Sequence, residues 1–353
     1  MKKIFIAIYL VTMCAMVTSA KIWRINPNPS AKAAFTTIQE ALLDDNVISG
    51  DTLMLDAGYH SAMVLTDDIN KDNITVIGTG YLLDQNTDWD ETQVAILAAA
   101  AFREKITNCK LEGIWITGNV QLAGENLTVS RCRVDGSISS MSGYTSRYCT
   151  VEDCLISKSI QLNNYSTIRN NLILLNSQQI GLQVIQVTDG SVIENNTIID
   201  NVHANYIVSA QKSVIRNNIV INKMDGMNSS TKMPYATCCI NMSNDLNNTI
   251  TNNILSTTEE YADSYFTDNY FIGASEENIF VNEGSLDGKY RVRAEIKAYK
   301  ASHGGECGAF GGTTPYVLSG IPLNMPHITS VQLPARPTDG KIVVTLSIEN
   351  QNE

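Results

Sequence analysis

Ile193-Glu194-Asn195-Asn196-Thr197-Ile198 and Ile215-Arg216-Asn217-Asn218-Ile219-Val220 are two copies of one line. It runs aliphatic, any residue, two turn-prone residues, any residue, aliphatic. Ile168-Arg169-Asn170-Asn171-Leu172-Ile173 and Ile250-Thr251-Asn252-Asn253-Ile254-Leu255 repeat it. Looser copies precede these: Val151-Glu152-Asp153-Cys154-Leu155-Ile156, Val129-Ser130-Arg131-Cys132-Arg133-Val134 and Leu111-Glu112-Gly113-Ile114-Trp115-Ile116. Counted at the fourth residue of each copy (114, 132, 154, 171, 196, 218, 253), the steps are 18, 22, 17, 25, 22 and 35. A period near twenty with elastic insertions is the signature of a stacked solenoid, one copy per rung.

The line has a physical reading. Its aliphatics belong to two consecutive short strands, and the pair between them bends the chain. The first member of the pair is Gly, Arg, Asp or Asn, mostly types that tolerate a left-handed backbone. The second is Ile, Cys, Cys and then Asn in every later copy. Exchange with Ile and Cys predicts that this position faces inward, where Asn amides can hydrogen-bond from rung to rung. Two residues earlier, Glu152, Arg169, Glu194 and Arg216 alternate in charge on the outside. That column reads as a structural ion ladder of modest worth.

On these repeats, residues 35 to 312 resemble the right-handed parallel β-helix proteins of the pectin lyase-like superfamily. The resemblance implies an all-β, right-handed parallel β-helix. It leaves activity open, since the superfamily holds lyases, hydrolases, esterases, phage depolymerases and non-catalytic adhesins. The opening, Phe35-Thr36-Thr37-Ile38-Gln39-Glu40-Ala41-Leu42 followed by Gly50-Asp51-Thr52-Leu53, is similar to that of many members, including pectin methylesterases. There it builds the first coil and carries no catalysis. Near the other end, Glu306-Cys307-Gly308-Ala309-Phe310-Gly311-Gly312 resembles the last coil and exit of exported β-helix proteins from Bacteroidetes-type bacteria. Cys307 departs from the aliphatic residue that such proteins often have.

Four segments follow. Residues 1–20 read as a signal peptide: Lys2-Lys3, an apolar run from Ile4 to Val17, and Thr18-Ser19-Ala20 before the cut. Residues 21–49 form an N-terminal cap, whose short helix opens on a capping-box spacing from Thr37 to Glu40. Residues 50–312 form the β-helix. Residues 313–353 form an extended Pro-rich strap, in which Lys341–Ile348 alternates like a single strand. No second apolar span follows the leader, so the expectation is an exported monomer without membrane insertion, placed in the periplasm, on the cell surface or outside the cell. The net charge of −11 (25 basic, 36 acidic) makes nucleic acid and anionic membranes poor partners. It would also repel a polyuronate unless a cation or a local basic patch intervenes.

Cysteine and carboxylate spacings argue against metal. Seven cysteines remain after the leader, with no Cys-x-x-Cys and no His cluster, so neither zinc nor a functional disulfide is expected. Asp84, Asn86, Asp88 and Asp90 alternate as in a calcium loop. Trp89 stands where such a loop turns on Gly, however, and position 95 is Ala, where a closing Glu is needed. The favoured reading is a solvated acidic loop and no cofactor.

Counting back nine to thirteen residues from each turn places the first strand of successive coils near 119–122, 158–162, 183–187, 205–209 and 239–243. The resemblance implies that the outer face of this strand, with its preceding loops, is the substrate groove. Gln121, Lys158, Gln161, Gln183, Gln186, His203, Asn205, Tyr206 and Asn241 fall on it, and the loop 222–237 walls one side. No acidic pair suited to hydrolysis, and no carboxylate set suited to calcium-assisted elimination, falls there. The galacturonase and methylesterase motifs are absent. His203, Tyr206 and Lys158 are the catalytic candidates, for a metal-free elimination. Gln161, Gln183, Gln186, Asn205, Lys232 and Tyr235 are the substrate-binding candidates, with no metal site. Two readings stay open: a protein that binds a polysaccharide along this groove and, as a lyase-like enzyme, cleaves it, or a non-catalytic structural or adhesive surface protein. A lone His or Tyr on a groove more often bonds to or stacks on a sugar than reacts with it.

Overall fold

The computed structural model describes residues 20–87, 93–141, 143–144, 146–175, 183–200, 206–223, 239–241, 246–258, 266–322, 326–334, 336 and 341–350. Strands of two to four residues recur in three sheets, and each strand pairs with its equivalents one coil before and one coil after. The first sheet runs from Met63–Leu65 to Val208–Ser209, the second from Ile22–Ile25 to Phe266–Thr267, and the third from Gly58–His60 to Tyr270–Phe271. The pairing is parallel throughout, as in the column Ile168, Ile193, Ile215 and Ile250. The chain is therefore a parallel β-helix. Its interior is a continuous aliphatic stack, with Ile138, Ile160, Ile185 and Val208 aligned from the first sheet.

The repeated line works as its residue types predict. Gly113, Arg131, Asp153, Asn170, Asn195, Asn217, Asn252 and Asp268 all take a left-handed backbone, with φ between 53° and 64°. One such residue per coil turns the chain from the second sheet into the third. In the first seven the next residue points inward and is fully buried, and Asn269 on the last coil is half-buried. Asn171 Nδ2 donates to Asn196 Oδ1 (2.9 Å), Asn196 to Asn218 (3.0 Å), Asn218 to Asn253 (2.9 Å) and Asn253 to Asn269 (2.9 Å). Asn269 adds a rung beyond the copies read from the sequence. The outer ion ladder also forms, with Arg169–Glu152 at 2.6 Å and Arg216–Glu194 at 2.7 Å.

A second interior ladder lies at the turn from the first sheet into the second. There the Ser166 N–H donates to Ser191 Oγ, the Ser191 N–H to Ser213 Oγ, and the Ser213 N–H to Asn248 Oδ1. Cys149 sits five residues ahead of Cys154 and Cys109 five ahead of Ile114, both in this same position and buried. None of the six described cysteines is in a disulfide.

The cap departs in detail from expectation. Ile22–Ile25 already pairs with Thr52–Leu55 as the first rung of the second sheet. The helix Ile38–Leu43 is capped by Thr37, but the Glu40 carboxylate accepts from Thr36 N and Oγ1, one residue further back than a capping box requires. Gln39 Oε1 accepts the Val64 N–H, which satisfies a donor on the open edge of the first sheet.

The C-terminal quarter requires a correction. The parallel sheets end at Phe271, whereas the repeats were expected to run to 312. From Ala274 the chain turns back and runs over the outside of the third sheet, contacting coils in reverse order. Tyr270 OH donates to Lys300 O, Gly308 N to Asn217 O, Asn170 Nδ2 to Ala309 O and Gly311 O, and Arg131 Nη1 to Ile321 O. The cause is visible in the third-sheet strands Leu172–Leu175 and Ile219–Asn222, which are buried on both faces. Their outward Leu172, Leu174, Ile219 and Ile221 pack with Phe280, Tyr290, Ile296 and Tyr316 of the return segment in a second apolar cluster. Gly308 (φ +86°) allows the close approach, because a Cβ there would lie 2.6 Å from Ile219 and 2.7 Å from Thr197. The C-terminal end is a hairpin, Pro326–Gln332 antiparallel to Thr345–Asn350, and not a single strand.

The insertion read as a solvated loop is partly structured. Leu83–Asn86 is a helical turn, and the Asn86 amide donates to Asp287 Oδ1 and Ser319 Oγ of the return segment. Trp89 and its acidic neighbours from 88 to 92 lie outside the described residues.

Candidate functional site

The outward column of the first sheet reads Val64, Ala101, Gln121, Ser139, Gln161, Gln186 and Ser209. Four expected strands coincide with Val120–Leu122, Ile160–Gln161, Ile185–Gln186 and Val208–Ser209, and the fifth is the bridge from Val208 to Ile240. Ile138–Ser139 was missed for a local reason. An insertion from 140 to 148 follows this strand, so counting back nine to thirteen residues from Cys154 stops short of it.

That insertion also makes the site. Ser140, Met141, Gly143 and Tyr144 rise beside Gln161, Leu162, Asn163, Gln186 and Thr188 to enclose a trough of about 270 Å³. Gln161 and Gln186 are neighbours on its floor. Asn163 Nδ2 donates to Tyr144 O (3.2 Å), which ties the wall to the floor. Ser140 Oγ and Ser146 Oγ are 2.5 Å apart at the base of the wall. Gln161 Nε2 is buried and has no hydrogen-bond partner. A buried unmade donor is unfavourable by about 1–3 kcal/mol, so it marks where a ligand acceptor would be favoured. Tyr144, Asn163 and Thr188 were not foreseen. Asn163 and Thr188 were within reach, because each stands two residues past an assigned outward residue, the strand period.

The remaining sequence candidates fall into two groups. Lys158, Gln183 and Tyr206 occupy one register position, two residues ahead of Ile160, Ile185 and Val208. They form a second column at the edge of the first sheet. With strands about 4.8 Å apart, the backbones of Lys158 and Tyr206 are separated by roughly 10 Å, with Gln183 between them. Lys158 and Gln183 are half-buried and Tyr206 is exposed. His203, Asn205, Lys232 and Tyr235 lie outside the described residues.

The chemistry offered by the trough is amide, hydroxyl and one aromatic ring. No carboxylate lines it among the described residues. Nor do three His, Cys, Asp or Glu side chains converge anywhere among those residues as a metal ion would require. No described helix is long and apolar enough to cross a membrane.

No family model matches the chain, and no curated protein matches it. Among solved structures, a mutant alginate lyase of the PL6 family is similar to it, with 11% identity and a TM-score of 0.26. That similarity covers 84% of this chain and 60% of the lyase chain. The register of its own three sheets makes the chain a parallel β-helix, the architecture implied by the resemblance to the pectin lyase-like superfamily.

Proposed function

We propose that this chain is an exported protein that binds a polysaccharide along the outer face of its first sheet. The observation that carries the reading is the trough over Gln161 and Gln186, with its partnerless buried amide, its hydroxyls and the Tyr144 ring. Neutral hydrogen-bonding groups around an aromatic side chain suit a hydroxyl-rich ring with apolar C–H faces. The column Lys158, Gln183 and Tyr206 borders the same sheet and extends the surface along the stack. His203, Asn205, Lys232 and Tyr235 belong to its rim on sequence grounds. Binding is the main reading, and elimination by Tyr206 or His203 with Lys158 is its enzymatic extension. The reading as a purely structural surface protein leaves the Gln161 amide unexplained.

The test is affinity electrophoresis of the chain from residue 21 against plant, algal and host polysaccharides, with unsaturated-uronate absorbance followed in parallel. At least one polysaccharide should retard the protein, and Gln161→Ala with Gln186→Ala should weaken that retardation about tenfold. Silence across the panel, or retardation indifferent to both substitutions, would sink the reading. New absorbance that Tyr206→Phe abolishes would make the protein a lyase.

A further inference from the structure

A second cleft opens on the far side of the coil, where the return segment crosses the turns from the second sheet into the third. It measures about 430 Å³ and is bounded by Arg169, Glu194, Arg216, Asn195, His303 and the Thr313–Thr314 loop. We infer that this cleft is a binding site for a sugar carrying one singly charged oxyanion, either a carboxylate or a sulfate ester. It is independent of the trough on the first sheet.

Three asparagines, Asn170, Asn195 and Asn217, stand on successive coils at the cleft. Asn170 holds the return segment by donating to Ala309 O and Gly311 O. Asn217 holds it by accepting the Ser302 N–H on Oδ1 at 2.8 Å. That backbone donor fixes the orientation of the Asn217 amide, so its Nδ2 faces Asn195 and meets Asn195 Oδ1 at 3.4 Å. Asn195 must then turn its own Nδ2 into the cleft. There it faces His303 Nε2 at 3.5 Å. The Gly305 N–H donates to His303 Nδ1 at 3.1 Å, which leaves the ring proton on Nε2. Two N–H donors thus converge with no acceptor between them, His303 set by a backbone N–H and Asn195 by the Asn217 amide. Asn195 is only 3% exposed, so water satisfies little of its need, whereas the His303 ring is exposed.

The guanidinium edges give the character of the missing group. Arg169 binds Glu152 Oε2 through Nε and Nη2, and Arg216 binds Glu194 Oε2 through Nε and Nη2. Among the described residues, neither Nη1 makes a hydrogen bond. Each guanidinium is matched by one carboxylate, so the ladder is neutral overall, yet its two Nη1 groups remain donors without acceptors among the described residues. An oxyanion supplies the missing acceptors, its lone pairs accepting from Asn195 Nδ2, His303 Nε2 and the guanidinium edges. The volume accommodates a sugar ring as well as its charged group.

The test is calorimetric titration of the chain from residue 21 with glucuronate, glucose 6-sulfate, glucose and acetate. Saturable binding of glucuronate or of the sulfate, and none of glucose, is expected, and the two anionic sugars show which oxyanion is preferred. Asn195→Asp places a negative charge at the convergence point and should weaken binding at least about tenfold. The fold tolerates it, because Asp153 and Asp268 stand in the same left-handed column. His303→Ala, on an exposed turn, should weaken binding too, and Gln161→Ala in the trough should leave it unchanged. No saturable binding of either anionic sugar would overturn the inference. So would affinities indifferent to both cleft substitutions, or acetate binding as tightly as glucuronate.

Discussion

Asn196 leaves no polar atom idle. Its Oδ1 accepts from the Asn171 N–H (3.1 Å) and Nδ2 (2.9 Å), and its Nδ2 donates to Ile168 O (2.9 Å) and Asn218 Oδ1 (3.0 Å). Asn196→Ala would orphan a buried backbone N–H and a buried amide together, and should destabilise the fold by about 3–5 kcal/mol. Urea denaturation measures this, and a loss below about 1 kcal/mol would mean that the ladder does not hold the coils together. This ladder was legible because its signal is one residue type at one position in every late copy. The Ser166–Ser191–Ser213–Asn248 ladder was hidden by mixed spelling, with Leu127 and Cys149 in the same column. Asp153 makes a different prediction. It is buried 3.8 Å from Arg131, and its Oδ1 has no partner. Burial, followed by the charge of Glu152, pushes its pKa up to about 7. The folded state therefore holds a proton that the unfolded chain has already released above about pH 4, so stability falls as pH rises through that window. Asp153→Asn should match the parent at pH 4 and exceed it at pH 8 by as much as about 4 kcal/mol. Equal stabilities at pH 8 would show that Asp153 folds ionised and paired with Arg131.

At the scale of elements, the return segment depends on one carboxylate. Asp287 is fully buried. Its Oδ1 accepts from Asn86 Nδ2, Ser285 Oγ and Gly288 N, and its Oδ2 accepts from Tyr316 OH and Ser319 N. Tyr81 OH lies 2.6 Å from Tyr316 OH and extends the chain of hydroxyls to the front of the stack. Asp287→Ala strands these donors in an apolar layer and should be unfavourable by about 3–5 kcal/mol. Limited proteolysis reads it, with new cuts expected between 274 and 322. An unchanged digestion pattern would mean that apolar packing alone holds the segment. None of this was legible in advance, because Asn86 and Asp287 are 201 residues apart and carry no repeat. The hint that existed was apolar composition: Leu172-Ile173-Leu174-Leu175 does not alternate, and a strand without alternation is covered on both faces. The candidate sites divide in the same way. The floor of the trough follows from the coil period, its wall depends on the 140–148 insertion, and the second cleft exists only where residues 302–314 cross turns made more than eighty residues earlier.

A stack whose coils touch only their neighbours should unfold piecemeal, since its stability is a sum of coils and adjacent interfaces. This molecule adds a long-range tie, because the return segment bonds to coils from Tyr270 back to Tyr81. Loss of any rung then loosens contacts far along the stack, and unfolding should become a single event. The cysteines report it. Cys109 belongs to an early coil and Cys239 to a late one, and both are buried. Burial pushes the Cys109 thiol up to about 12, which keeps it protonated and unreactive in the native state. Alkylation followed by peptide mass spectrometry over a urea series should therefore give one shared midpoint for Cys109 and Cys239. Asp287→Ala combined with Asn170→Ala releases the return segment at two points while leaving the coil sequences between them intact. In that variant the two midpoints should separate, because each end of the stack then answers only to its neighbours. Two midpoints already present in the parent chain would refute the long-range tie. A shared midpoint that persists in the double variant would place the cooperativity in the Asn and Ser ladders.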